Sequence, residues 1–465
     1  MKLHFLGANR QVTGSRYCLE VGDKRVLIDC GMFQEREFKE RNWNPSPIPE
    51  DSVDAIVLTH AHIDHTGLLP RFVRNGFSGP IYATKPTADL LDIMLKDSAR
   101  IQEEDIKYKE RRHKKTGKQS KFPYEPLYTE DDALATLKLA RGVAYSTAKQ
   151  IVEGVQVTFH EAGHILGSSS LEVIVGTGDN QRTIVFSGDI GQCGKPIIRD
   201  PSNFVSADYV VMESTYGDRD HRDGGEIDDQ LCEIINDTAD RGGKVIIPTF
   251  AVERAQELMY YIGGLVHEDR IPDIPIFLDS PMAVDVTNIF HQHSDAFDSD
   301  TWDRITKGVP PLRFPGLTMV RKADDSKAIN KVKGPAIIMS TSGMCHAGRI
   351  KHHLRNNIRD SKATVLFVGF QGRGTLGRLI LEGRDSVRIH GKEHKVKARI
   401  AQIFGFSGHA DRDALLDWVD AFESPAKKMF LTHGEEEPAR ALAEQIKAKG
   451  WDVEVPEYQS TVELT

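Results

Sequence analysis

Three histidines and a carboxylate fall within six positions of the stretch Leu58-Thr59-His60-Ala61-His62-Ile63-Asp64-His65-Thr66-Gly67. Imidazole nitrogen and carboxylate oxygen are the donors that suit Zn²⁺, with Mn²⁺ and Fe²⁺ as rivals. His60 and His62, two apart, can converge on one ion if the turn stays extended. Asp64 and His65, further round the turn, can point at a second. A polar loop whose side chains only hydrogen-bond one another would account for a lone histidine. Four such groups after a buried strand are better read as a metal site.

Several elements have to position these groups. Asp54-Ala55-Ile56-Val57-Leu58 is apolar and β-branched, the pattern of a buried strand. The histidines therefore leave its C-terminal end, where an α/β sheet opens its crevice. Tyr17–Val21 and Arg25–Asp29 flank a Gly22-Asp23 turn and read as a hairpin. Asp29 ends the second of these strands, so its carboxylate either faces the same crevice or caps a turn. Val155-Gln156-Val157-Thr158-Phe159 alternates like another strand and places His164 just beyond its end, with His160 packed inside the strand. Arg182–Phe186 does the same for Asp189, which reads as a turn residue alone and as a bridge between two metals in this company. A carboxylate bridge holds two cations roughly 3.5–4 Å apart, the spacing that two-metal hydrolysis requires. A helix is expected over 67–74 and a longer amphipathic one over 86–112. Arg111–Lys121 follows as a basic loop with a glycine, most simply solvated and otherwise a contact to a phosphate backbone.

A chain of 465 residues suits two domains, each with its own core. Its net charge of −8 means that the surface as a whole does not attract nucleic acid, so a polyanion must be drawn by a local basic groove or by the metals. Cys18, Cys30, Cys193, Cys232 and Cys345 are scattered, odd in number and without paired spacing. That argues for a reducing compartment and against a disulfide framework or a thiolate zinc site. The N-terminus reads as a strand rather than a signal peptide, and no apolar run reaches membrane-spanning length. A cytoplasmic location without membrane contact is expected.

His60-x-His62-x-Asp64-His65, then His164 and Asp189, resembles the ligand series of the metallo-β-lactamase superfamily. The resemblance implies a four-layer αββα sandwich with a dinuclear zinc site at the sheet edges, and it makes Asp29 a structural support rather than a ligand. Val210-Val211-Met212-Glu213-Ser214-Thr215 resembles the acidic signature that opens the β-CASP insert of the nucleic-acid-processing branch. Gly242–Leu258, Ile276–Ala283, Ser342-Gly343-Met344 with Gly348-Arg349, and Gly369–Gly377 resemble the core of that insert. Ile403–Asp411 and Lys428–Glu435 resemble the second and third signatures of the branch and supply His409 and His433. A histidine in the third signature points to RNA rather than DNA. His291, His293, His352, His353, His390 and His394 match no ligand motif and are read as surface or core residues.

Carried over residue by residue, the resemblance implies two Zn²⁺ per chain, with Mn²⁺ as the alternative. One would take His60, His62, His164 and Asp189, the other Asp64, His65, Asp189 and His433. His409 would be the general acid, oriented by Glu213, and Asp64 and Asp189 would serve the reaction through the metals. Ser342, Gly343, Arg349, Ser407 and Gly408 are the expected substrate-binding residues. The expected activity is zinc-dependent hydrolysis of RNA, a single-stranded partner, to 5′-phosphate and 3′-hydroxyl ends.

The expected architecture is a metallo-β-lactamase domain in two parts, residues 1–208 and 396–465, with a β-CASP domain over 209–395. The first strand begins at residue 1 and about 30 residues follow His433, so the resemblance is to a minimal catalytic unit, with homo-oligomerisation left open. Three alternatives stand beside the ribonuclease. They are a DNA-directed nuclease, a hydrolase of small esters, thioesters or lactams on the same fold, and a non-catalytic scaffold. The insert argues against the small-molecule hydrolase and the full set of matched ligands against the scaffold.

Overall fold

Side-chain alternation decides the architecture. On neighbouring strands of one sheet, Val26, Ile28, Ala55 and Val57 point to one side, into a core with Val157, Phe159, Leu171, Val173 and Phe186 of a second sheet. Their neighbours Leu27, Ile56 and Leu58 point the other way, against Leu69, Phe72, Leu91, Leu95 and Tyr128 from helices and loops. The second sheet alternates likewise: Val185, Val210, Met212, Met429 and Leu431 face outward to Leu415, Trp418, Leu442 and Ile446. Strands apolar on both faces must be covered on both, and the result is helix, sheet, sheet, helix. The structure, a computed structural model, describes every residue except Lys118, Thr177, Asp179, Asn180, Arg222, Asp223, Gly224 and Arg373.

This four-layer sandwich is one of two compact units and comprises Met1–Gly194, Asp200–Asp220 and Gly408–Thr465. Its first sheet has the strand order Thr461–Glu463, Lys2–Gly7, Arg16–Val21, Lys24–Ile28, Ala55–Val57, Ile81–Thr84, Ala140–Val143. Its second runs Val453–Glu454, Lys428–Thr432, Tyr209–Glu213, Arg182–Phe186, Ser169–Val175, Val155–Glu161, Lys149–Val152. Parallel register does the positioning. Ile28 pairs with Val57, so Asp29 and the histidine stretch leave the first sheet side by side. Phe186 pairs with Val211 and Glu213 with Thr432, so Asp189, Glu213 and His433 leave the second sheet at one end. The two exits are tied together, since Ser169 donates to the Thr59 carbonyl from its backbone N–H at 2.8 Å and from its hydroxyl at 2.9 Å. Gly188 makes room for that tie: with φ of +58°, a Cβ there would sit 2.9 Å from both the Ser169 oxygen and Thr59.

The other unit, Lys195–Arg199 and His221–Ser407, carries a six-stranded sheet. Its order is Leu317–Met319, Ile276–Leu278, Ala336–Ser340, Lys244–Pro248, Thr364–Phe367, Arg399–Gln402, with every pairing parallel. Ile246, Ile338 and Val365 pack from the sheet onto Ile350, Leu354 and Ile380 of helices, an α/β layout.

Two expectations change. Asp64 and His65 sit on a four-residue helix, Ile63–Thr66, rather than on a turn. The long helix runs Lys85–Thr116, so most of the basic segment expected as a loop is helical and ends at Gly117 with φ of +67°. Lys118 of that segment lies outside the described residues, as does Arg373 in the Gly369–Gly377 motif. Lys and Arg are good helix formers, and the absence of Gly or Pro between Pro86 in the first turn and Gly117 lets the helix continue.

Phe159 is fully buried between the two sheets. Phe159→Ala should lower the unfolding free energy by about 3–5 kcal/mol, read from the shift of the urea midpoint at unchanged slope. An unmoved midpoint would show that the intersheet core does not limit stability.

Candidate metal centre

The His60–His65 segment is strapped down by backbone bonds before any metal is considered. Ser15 N–H donates to the Asp64 carbonyl at 2.8 Å, Cys30 N–H to His65 at 2.7 Å and Met32 N–H to Ile63 at 3.0 Å. The strap requires Gly31, because a Cβ there would lie 1.6 Å from the Asp64 oxygen. His62 is the extended residue that precedes the short helix, so His60 and His62 point together while Asp64 and His65 turn away from them.

Two convergent groups result. Ligand atoms of His60, His62, His164 and Asp189 lie within 4.8 Å of one another, and so do those of Asp64, His65 and His433. His62 Nδ1 is 3.1 Å from His60 Nε2 and 3.2 Å from His164 Nε2. Asp189 stands between the groups. Its Oδ2 is 3.5 Å from His60 Nε2 and 3.5 Å from His164 Nε2. Its Oδ1 faces His65 Nε2 at 3.3 Å and His433 Nδ1 at 3.4 Å, and is buried without a hydrogen-bond partner. Facing nitrogen lone pairs and an orphaned buried carboxylate oxygen are what a divalent cation would satisfy, so the donor set fits a metal.

The electrostatics agree with that fit. Burial pushes His60, His62 and His164 down from the ordinary histidine range, so these rings are neutral donors. His65 and His433 are buried too, yet Asp189, helped by Asp29 at His65 and Asp64 at His433, raises both. Burial opposes the charge of Asp64 and Asp189, but the surrounding imidazoles hold both carboxyls below the usual range. The protons on His65 and His433 offset carboxylate charge that a bound cation would otherwise neutralise, and metal binding would release them.

Asp29 is 2.7 Å from His65 Nδ1 through Oδ2 and accepts from Thr59 N–H at 2.8 Å through Oδ1. It orients a ring rather than joining either group, as a carboxylate does behind a metal-ligating histidine. His409 Nδ1 is 3.2 Å from both carboxylate oxygens of Glu213, and Glu213 is fixed by Ile190 N–H at 2.6 Å. Burial opposes protonation of His409, but Glu213 and then Asp189 outweigh it and push its pKa up to about 9.

Other expected residues are placed as follows. Gly408 offers its carbonyl to His164 Nδ1 at 2.8 Å. Arg349 spends its guanidinium on Asp279 at 2.7 Å and on the carbonyls of Val320 and Arg321. Ser342 accepts from His346 N–H at 3.2 Å, and Gly343 lies against the Phe250 ring. Ser407 belongs to the unit with the six-stranded sheet. His160 packs edge-on against Phe204 and stands 3.5 Å from Glu172, and His353 is buried against Asp279 at 2.6 Å. His409 follows an irregular stretch rather than a strand, since the nearest preceding strand ends at Gln402. Thr59 and Thr215 escaped the sequence reading. Thr59 Oγ1 contacts Asp29, and Thr215 Oγ1 donates to the His433 carbonyl at 2.9 Å and lies 3.2 Å from its Nδ1. The one signal for either was adjacency to a motif residue.

Sequence comparison meets this geometry. Residues 12–221 match the profile of the metallo-beta-lactamase superfamily, 255–380 that of the Beta-Casp domain, and 393–456 that of a Zn-dependent metallo-hydrolase RNA specificity domain. Ribonuclease TTHA0252 of Thermus thermophilus is 38% identical over 98% of this chain and 99% of that protein. This chain belongs to the β-CASP family of the metallo-β-lactamase superfamily. Other β-CASP relatives include the transcription termination factors FttA of Methanosarcina mazei and Pyrococcus abyssi, each 31% identical. They match 96% and 99% of this chain and 68% and 70% of their own lengths. A protein of unknown function from Enterococcus faecalis V583 shares the fold, with a TM-score of 0.55 over 100% of this chain and 99% of that one at 13% identity. As a β-CASP protein the chain is a metallo-hydrolase, and its His/Asp cluster is able to bind metal.

Asp29→Asn keeps the shape but removes the charge behind His65. It should weaken divalent-metal retention by about 10–100-fold in a chelator competition. Wild-type retention would assign Asp29 to the fold alone.

Proposed function

We propose that this β-CASP hydrolase is a two-zinc ribonuclease that cleaves single-stranded RNA to 5′-phosphate and 3′-hydroxyl ends. The observation that carries the reading is Asp189, whose two oxygens address two separate donor groups. His60, His62, His164 and Asp189 Oδ2 would hold one ion, and Asp64, His65, His433 and Asp189 Oδ1 the other. Two such ions, when bound, would lower the pKa of a water and offset charge on phosphoryl oxygens. The protein's side chains supply the rest. Asp29 and Thr215 hold the rings of His65 and His433 in place, and Glu213 takes Nδ1 of His409, leaving Nε2 on the far side of the ring. That nitrogen delivers the proton that the departing 3′ oxygen needs. Glu213 also keeps His409 protonated at neutral pH, as an adjacent carboxylate does for an imidazole.

The substrate class rests on His433, the histidine of the third signature, and on relatives whose names record a ribonuclease and transcription termination factors. The unit with the six-stranded sheet, into which most of the expected segment 209–395 falls, is taken as the β-CASP insert that serves a polymer. All five cysteines are free, which accords with a reducing compartment such as the cytoplasm. Among the described residues no helix is long and apolar enough to cross a membrane.

Zinc-loaded protein given a 5′-labelled single-stranded RNA and the same DNA sequence should cut the RNA, with His62→Ala inactive. Intact polymers alongside turnover of a thioester or lactam would favour the small-molecule hydrolase instead. His409→Ala should keep its metal content by elemental analysis while losing about 10²–10⁴-fold in turnover; loss of metal would show that the role is wrongly assigned. In Glu213→Gln the influence that most raises His409 is gone, so its pKa falls and the alkaline limb of the pH–rate profile should move to lower pH. A limb that stays where it is in wild type would separate Glu213 from the general acid.

A further inference from the structure

The C-terminal half of the helix Lys85–Thr116 runs on beyond the packed core and keeps only a partly buried stripe. Its buried residues end at Ala99, and no residue from Arg100 to Thr116 is buried. The face that continues the buried stripe keeps contact through Gln102, whose side chain accepts from Leu127 N–H at 3.0 Å, and through His113, 2.8 Å from the Tyr124 hydroxyl. The opposite face is open, and its composition changes abruptly. Glu103, Glu104 and Asp105 give way to a stretch, residues 107–121, that holds eight lysines and arginines against Glu110 alone. That is a net charge of +7 within a chain whose total is −8.

An ordinary solvated helix mixes both signs and pairs them at i,i+4. Here Lys114 pairs with Glu110 at 2.9 Å and Lys121 with Glu40 at 2.7 Å, and these are the carboxylate partners of the cluster among the described residues. Lys107, Lys109, Arg111, Arg112 and Lys115 are exposed. Attraction to the negative end of the helix dipole extends over the last turn, which covers His113, Lys114 and Lys115 but not the four cations before them. Tyr108 is 62% exposed and shares a helix face with Arg111, Arg112 and Lys115, at offsets of three, four and seven. Cations that track a backbone, with an aromatic ring on which a base can stack, form the pattern of a single-stranded nucleic-acid contact.

We infer that this basic helical extension is an RNA tether, a binding surface in addition to the metal centre that takes the sugar–phosphate backbone of the substrate through Lys107, Lys109, Arg111, Arg112 and Lys115 and stacks a base on Tyr108. The inference rests on the ribonuclease reading and deepens it. With a total net charge of −8, long-range attraction of a polyanion has to come from local basic clusters, and this helix carries one.

The test uses the full chain with those five cations replaced by glutamine, a helix former that keeps length and removes charge. Binding of an unstructured, fluorescein-labelled RNA is followed by anisotropy between about 50 and 200 mM salt. Each lost phosphate contact should reduce the slope of log affinity against log salt by about 0.7, up to about 3.5 in all. The dissociation constant should rise at least about tenfold, while turnover of a dinucleotide, which can occupy the cleavage site alone, stays at the wild-type rate. Tyr108→Ala should weaken binding by about five- to tenfold with no change in salt slope. Wild-type affinity and slope in the five-fold variant, with its melting temperature retained, would overturn the tether. So would loss of binding to phosphatidylserine vesicles in that variant with RNA binding unchanged, which would reassign the patch to a membrane. Wild-type protein that neither bound nor cut RNA would defeat the ribonuclease reading itself, and the tether with it.

Discussion

One buried carboxylate organises the first unit. Asp189 is 2% exposed and has ring nitrogens of His60, His65, His164, His409 and His433 within 4 Å. An ionised carboxylate taken out of water costs several kcal/mol unless charges of opposite sign or a metal compensate it. The compensating groups come from strand ends in both sheets, so the sandwich can bury Asp189 only if both sheets end at one place. The paired donation of Ser169 to Thr59 fixes that coincidence. A lone aspartate at this depth would be a liability. With five imidazoles around it, it becomes the shared edge of two groups of metal-binding side-chain types.

The same constraint separates the histidines by role. Those lowered by burial are neutral and suited to coordinate, whereas His65, His409 and His433 are raised because carboxylates face them. His65 and His433 owe much of that to Asp189, so a cation would displace their protons. His409 answers first to Glu213, which belongs to neither ligand group around His60 or His65. A proton at His409 therefore has a source of stabilisation that a bound cation would leave in place, the condition that the proposed general acid has to meet.

The unit with the six-stranded sheet shows how polar residues in a recognisable motif divide between support and exposure. Arg349 and His353 both close on the buried Asp279, and Ser326 adds a third donor to it. The hydrogen-bonding capacity of Arg349 is spent on the fold. On the loop after the strand Ala336–Ser340, Ser342 is partly exposed, whereas Gly343 beside it is buried against Phe250.

The sequence alone determined the local features: strand ends followed by His, Asp or Glu, the ligand types, the order of the motifs, and through them the family and the αββα layering. These are legible because a strand that is apolar on both faces must be buried, and because a ligand adjacent to it can only leave at its end. Helical extent was less legible, since good helix formers carry a helix past the point where packing stops, as Arg111–Thr116 does. The tertiary structure decided which residues share a site across hundreds of positions. It set Asp29 behind His65, Thr215 beside His433, Gly408 against His164, and Arg349 onto Asp279. Those pairings depend on register and on a few angstroms of sheet-end geometry, to which residue type and spacing along the chain are blind.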